Sequence, residues 1–144
     1  MQITLIINEV NLMKQLHPIL GVVILRVTLG IVMLAHSVYL KLFIFTLSGT
    51  EAFFVSIGLP GFLAYLVFGI EAIAGIALII GFKVNITAGL LIPILLGATW
   101  AHWQAGWLFT NKGGGWEYPL VLCLMALSLV FMQNEKPQIN TQAT

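Results

Sequence analysis

The chain has 144 residues, 60% of them hydrophobic and only 8% charged, where a soluble domain carries about 25% charged residues. Mean hydropathy is +1.03, and six Lys and Arg against five Asp and Glu leave no basic field for phosphate. This balance excludes a soluble enzyme, a disordered chain and a nucleic-acid binder, and leaves a small polytopic membrane protein of about four spans of roughly 20 residues each.

In chain order, residues 1–17 read as an N-terminal segment at the membrane interface. The first span is expected over 18–42, opened by Pro18 and carrying Arg26 inside its apolar run. That arginine argues against a cleaved signal peptide, whose core is uninterrupted. Ser48-Gly49-Thr50-Glu51 has the form of a capping box. It predicts a short interfacial helix over 48–58, with Phe53, Phe54 and Ile57 dipped into the membrane. The second span is expected over 61–82 with Glu71 inside it, and the third over 86–106 with Pro93 inside. Lys83, Val84 and Asn85 join them, a link short enough to force an antiparallel hairpin. The fourth span is expected over 116–134, followed by a polar tail over 135–144.

The expected fold class is therefore all-α: an antiparallel bundle of four transmembrane helices with one interfacial helix between spans one and two. Four antiparallel spans put both long connections on one side and the termini on the other. Lys14, Lys83 and Lys136 against Lys41 and Lys112 orient the termini to the cytoplasm of an inner membrane. The lone Cys123 cannot by itself support thiol–disulfide exchange and reads as a small core hydrophobe.

Charges inside spans cost at least about 2.5 kcal/mol each and need a reason. Counting from the expected outer ends, at His36 and Phe62, Arg26 and Glu71 both fall about 15 Å deep. An ion pair between them is the expectation. His36, Lys41, His102, Trp103, Trp116 and Glu117 all map to the outer ends. Two histidines with a lysine and a glutamate in one layer are a constellation for an anion, a quinone carbonyl or a metal. No metal-ligand motif of fixed spacing is present, although two histidines in one leaflet keep a bis-histidine haem open.

Arg26-x-x-x-Gly30 followed by His36-Ser37-x-x-x-Lys41-Leu42-Phe43 resembles the first-helix signature of the DoxX family of small membrane proteins. Gly58-Leu59-Pro60, Glu71-x-x-x-Gly75 and Gly81 resemble its second-helix pattern. Gly97-Ala98-Thr99-Trp100-x-His102 and Gly113-Gly114-Gly115-Trp116-Glu117-Tyr118-Pro119 are similar to the third-to-fourth-helix segment of one subgroup. The commoner pattern has a glycine where Ser37 stands and one residue fewer before the lysine. The resemblance implies a four-helix membrane fold and, in some members, quinone-dependent sulfur oxidation; in others it implies membrane redox and thiol-stress complexes.

The leading reading is a membrane subunit of a redox complex with a quinone or similar lipophilic carrier as cofactor. Its pocket is expected between spans one, two and four at the outer leaflet. The candidate ligand-binding residues are Arg26, His36, Lys41, Glu71, His102, Trp103, Trp116 and Glu117. Expected partners are the lipid bilayer and other membrane or redox subunits or a second copy, and no nucleic acid. The alternative is a non-catalytic scaffold whose buried ion pair only fixes helix register. A small-solute transporter ranks third, because no inverted repeat is visible. Whether the chain is catalytic stays open.

Overall fold

The computed structural model describes residues 2–132, with the backbone alone for 3–17. The expected tail, 135–144, and the last residues of the fourth expected span lie outside the described residues. Five α-helices follow in order: α1 (Gln2–Leu34), α2 (Leu47–Ser56), α3 (Phe62–Ile80), α4 (Val84–Ala101) and α5 (Glu117–Met132). A π-helical segment, Ala35–Ile44, continues α1, and a 3₁₀ turn, Trp103–Ala105, follows α4. No strand occurs among the described residues.

Among the described residues, three helices are long and apolar enough to cross a membrane: Pro18–Ile44 with 27 residues, Phe62–Ile80 with 19 and Val84–Ala101 with 18. Glu117–Met132 is a shorter apolar helix. α1, α3, α4 and α5 each bury one narrow stripe, and the stripes meet in a common core. Val84, Ala88, Leu91 and Leu95 on α4 show the spacing, at i, i+4, i+7 and i+11. Off the stripe the surface stays apolar: Ile24, Ile73, Ile80, Leu90 and Phe131 are each 60% exposed or more. Monomeric soluble proteins do not present apolar surface on that scale; lipid is the solvent these faces suit.

The most extensive helix contacts join α4 to α5 and α1 to α3. On the second of these, contacts descend α3 as they ascend α1. Arg26 meets Leu78 and Ile79, Gly30 meets Gly75, and Lys41 meets Glu71. The closest approach is at the two glycines, where a Cβ on Gly30 would lie 2.7 Å from the Gly75 carbonyl oxygen. A Cβ on Gly75 would lie 2.9 Å from the Gly30 oxygen. Nothing larger than hydrogen fits, so this contact sets the register of the pair.

One expectation is corrected: Pro18 lies inside α1 rather than at a helix start. The membrane-long apolar segment is Pro18–Ile44, against the expected 18–42, so His36 lies within it rather than at its outer end. The continuation beyond Leu34 is π-helical. A π turn closes its ring over one residue more than an α turn.

The cap of α2 also differs from expectation. Thr46, not Ser48, is the N-cap, and its Oγ1 accepts from the Gly49 N–H at 3.1 Å. Glu51 does not fold back onto the cap: its carboxylate accepts from the Tyr65 hydroxyl at 2.7 Å, which ties α2 to α3. Phe54 and Ile57 are half-buried, while Phe53 stays 41% exposed. Thr46 holds φ 61° and ψ 158°, a region that costs a non-glycine residue about 1–3 kcal/mol. Thr46→Ala should lower stability by about 1 kcal/mol through loss of the cap. Thr46→Gly should cost less, because it releases the strain as it removes the hydroxyl. Thermal unfolding in detergent ranks the two, and equal losses would refute the strain.

Candidate functional site

Glu71 sits in the middle of α3 and is 6% exposed. Its partner is Lys41, on the π segment, whose Nζ donates to Oε2 in an ion pair. This corrects the expected Arg26–Glu71 pair. Once Gly30 is placed against Gly75, Glu71 comes level with Leu34, and Arg26 comes level with Ile79. The offset is eight residues, about 12 Å. The sequence-based depth count placed the outer end of span one at His36, whereas the helix continues for two further turns. A register signal was present in the sequence: Gly30 and Gly75 each stand four positions after the charge in question, and pairing them separates the charges.

Arg26 is held at the other end of α3. Its Nη1 donates to the carbonyls of Leu78 and Ile79, each at 2.6 Å. A guanidinium there adds a donor to carbonyls of the last helical turn, of which Leu78 also accepts from the Gly81 N–H at 3.3 Å, and complements the helix dipole. It does not join the other candidates.

His36 lies one π turn before Lys41. Its Nδ1 is 3.0 Å from the Val32 carbonyl, and since a carbonyl only accepts, that nitrogen carries the proton. A neutral ring then keeps Nε2 as an acceptor. The ring stacks on Tyr118, centroids 5.4 Å apart and planes at 27°. Tyr118 is thus a site residue that the sequence reading did not select. Its sequence signal was its place in the Trp116-Glu117-Tyr118-Pro119 stretch. Between His36 and Lys41, Ser37 is fully buried and donates to the Met33 carbonyl at 2.8 Å.

The remaining candidates gather in the connection between α4 and α5. Trp103 stacks on Trp116 at 4.7 Å and 21°, and Trp107 meets Trp116 edge-on at 4.3 Å. His102 Nδ1 donates to the Gly113 carbonyl at 2.9 Å, and its ring lies 6.2 Å from that of Phe53 on α2. The Phe109 N–H donates to Glu117 Oε1 at 2.9 Å. The backbone of the connection closes on itself, Trp116 N–H to Gly106 and Glu117 N–H to Trp107, each at 3.1 Å. Gly115 is obligatory here, since a Cβ would fall 2.2 Å from Leu108 backbone atoms. Of the three consecutive glycines, Gly113 and Gly114 hold positive φ and Gly115 makes the tight contact.

The structure therefore resolves the eight sequence candidates into three groups. Lys41 and Glu71 meet in a buried pair, with His36 one turn away. His102, Trp103, Trp116 and Glu117 build the closed connection. Arg26 stands apart. A cavity of about 290 Å³ opens between the end of α2 and the end of α4, lined by Ile57, Trp100, Ala101, Trp103 and Gln104. Its lining includes Trp103 but neither Glu71 nor Glu117. Among the described residues, no group of three or more His, Cys, Asp or Glu is arranged to hold a metal ion.

The family model described as DoxX matches residues 21–103, more than half of the chain. The chain belongs to the DoxX family. The DoxX match contains the whole of the Lys41–Glu71 pair, the Gly30–Gly75 contact and Arg26, and ends at Trp103, in the first residues of the closed connection. Family and apolar helices together make this DoxX chain a membrane protein. A Bacillus subtilis (strain 168) protein named "Putative oxidoreductase CatD" is 39% identical to it over 79 residues, 55% of this chain and 57% of that protein. The match thus spans a little over half of the relative's length. No solved structure matches the chain.

Proposed function

We propose that this DoxX protein is a membrane subunit of a redox complex that serves a quinone or similar lipophilic carrier. In this reading α1 with its π extension, α3, α4 and α5 are four antiparallel spans of the inner membrane, with the termini cytoplasmic. The observation that carries the proposal is the buried Lys41–Glu71 pair. A purely structural clamp is replaceable by apolar packing with little loss, whereas ionisable groups inside a membrane mark binding and proton-transfer sites. The oxidoreductase in the relative's name points the same way.

The donor set fits a carrier head group. Lys41 can donate from Nζ, His36 offers Nε2 as an acceptor, and the Tyr118 hydroxyl supplies a further polar group on a stacked aromatic face. A bound quinone would supply electron acceptance coupled to proton uptake. Lys41 would orient its carbonyl, and Glu71 would hold or release a proton beside it. The exposed indoles of Trp100 and Trp103 at the cavity would form the entry from the bilayer. Other redox subunits, or a second copy, would complete the complex.

The test is a lipid extract and optical spectrum of the gently purified full chain. Stoichiometric quinone, lost in Glu71→Gln, is expected. A Soret band would assign haem instead, and an extract free of both would favour a scaffold in which the pair only fixes register. Topology is checked separately by single cysteines at Ser48 and Lys112, both exposed, in a Cys123→Ser background. Labelling from outside intact cells is expected at both, and labelling only after lysis would invert the orientation.

A further inference from the structure

Arg26 takes no part in the proposed carrier site, yet it keeps a full charge at the end of α3. Among the described residues no carboxylate is within ion-pair distance of it: Glu71 is held by Lys41, Glu117 by the Phe109 amide and Glu51 by Tyr65. Two backbone carbonyls offset part of the charge, and both bonds use the single nitrogen Nη1. The guanidinium lies over Gly81, where a Cβ would come within 3.1 Å of Cζ and Nη1 and within 3.3 Å of Nη2. The missing side chain lets the guanidinium pack directly against the Gly81 backbone. Two residues on, Lys83 is exposed, its Nζ 5.7 Å from the centroid of the Phe82 ring. Ile73, Ile76 and Ile80, at i, i+3 and i+7, form a stripe on α3 that is 72%, 55% and 70% exposed and ends at this point.

We infer that Arg26 and Lys83 bind the phosphate of an anionic phospholipid, whose acyl chains lie along the exposed isoleucine stripe of α3. Two cations at one helix end answer the phosphate, since basic clusters at the ends of membrane spans attract anionic head groups. The stripe decides between sources of that phosphate: a soluble anion makes no use of adjoining apolar surface, and a lipid does. Guanidinium provides a planar fork suited to phosphate oxygens and lysine a point charge beside it. The site would anchor the α3–α4 turn to lipid at the end of the molecule away from the Lys41–Glu71 pair.

Native mass spectrometry of the full chain, released from detergent micelles holding equal phosphatidylglycerol and phosphatidylcholine, tests this. The wild type is expected to retain one phosphatidylglycerol in preference. Arg26→Lys should keep the preference and Arg26→Gln should lose it. Lys83→Gln, at an exposed turn that the fold tolerates, should weaken it about fivefold, and it carries the test if Arg26→Gln does not fold. Equal retention of the two lipids by the wild type, or wild-type preference in Lys83→Gln, would overturn the assignment. Displacement of the lipid by inorganic phosphate alone would assign the site to a free anion and overturn the lipid reading.

Discussion

Glu71→Leu is expected to destabilise the protein by about 3–5 kcal/mol, and adding Lys41→Leu should recover most of that loss. The physical reason is asymmetry. Removing one member of a buried pair strands the other charge in a medium that cannot solvate it, whereas removing both leaves an apolar contact of similar volume. The pair is well placed for this effect, with side chains 17% and 8% exposed. Unfolding of the full chain in detergent, read as a double-mutant cycle, gives the coupling directly. A cycle of Glu71→Leu with Arg26→Leu is the control. Those residues are about 12 Å apart along the helices, beyond the distance at which substitutions usually couple, so their effects should add. Coupling in the control, or additivity in the Lys41–Glu71 cycle, would restore the pairing that the sequence suggests.

The second large effect is expected at the glycine contact. Gly30→Leu should disrupt the packing of α1 on α3, because its Cβ would meet the Gly75 oxygen at 2.7 Å and Ile79 Cγ1 at 2.8 Å. A side chain can rotate away, but a carbonyl in a helix cannot. The two helices would have to separate, and overpacking of this kind costs about 1–3 kcal/mol or more. Separation would also pull the π segment from α3, so Gly30→Leu should weaken the Lys41–Glu71 coupling as well as lower the unfolding temperature. Gly97→Ala supplies the contrast. Nothing lies within 4 Å of its added Cβ, and alanine is the better helix former by about 0.5–1 kcal/mol. It should be neutral or stabilising. Similar losses at both glycines would mean that the contact does not hold the helices together.

The lipid-facing character of the molecule was legible in composition alone, because a chain with 8% charged residues cannot cover itself in water. Helix positions were legible too. Glycine and proline punctuation marks the ends of helical segments, since φ preference and missing N–H groups act locally. The site was legible as a set of residue types. Lys41, Glu71, His36, His102 and the tryptophans were all selected as unusual in an apolar chain.

Which of them meet was decided elsewhere. The α1–α3 register follows from the one place where two backbones can touch, Gly30 against Gly75, and that contact is a property of two helices at once. Assigning Glu71 to Arg26 or to Lys41 turns on eight residues of slide between α1 and α3, which the two glycines mark in the sequence but which only their meeting fixes. Lys41, on the π segment, finds Glu71 only where α3 packs against it, and Tyr118 joins the candidate site only when α5 brings its ring against His36. Local sequence thus determined what each segment is and which residues lipid would not tolerate without a partner. Tertiary packing alone chose the partners, because close approach and ion pairing act between residues far apart in the chain, at distances set by the fit of whole helices.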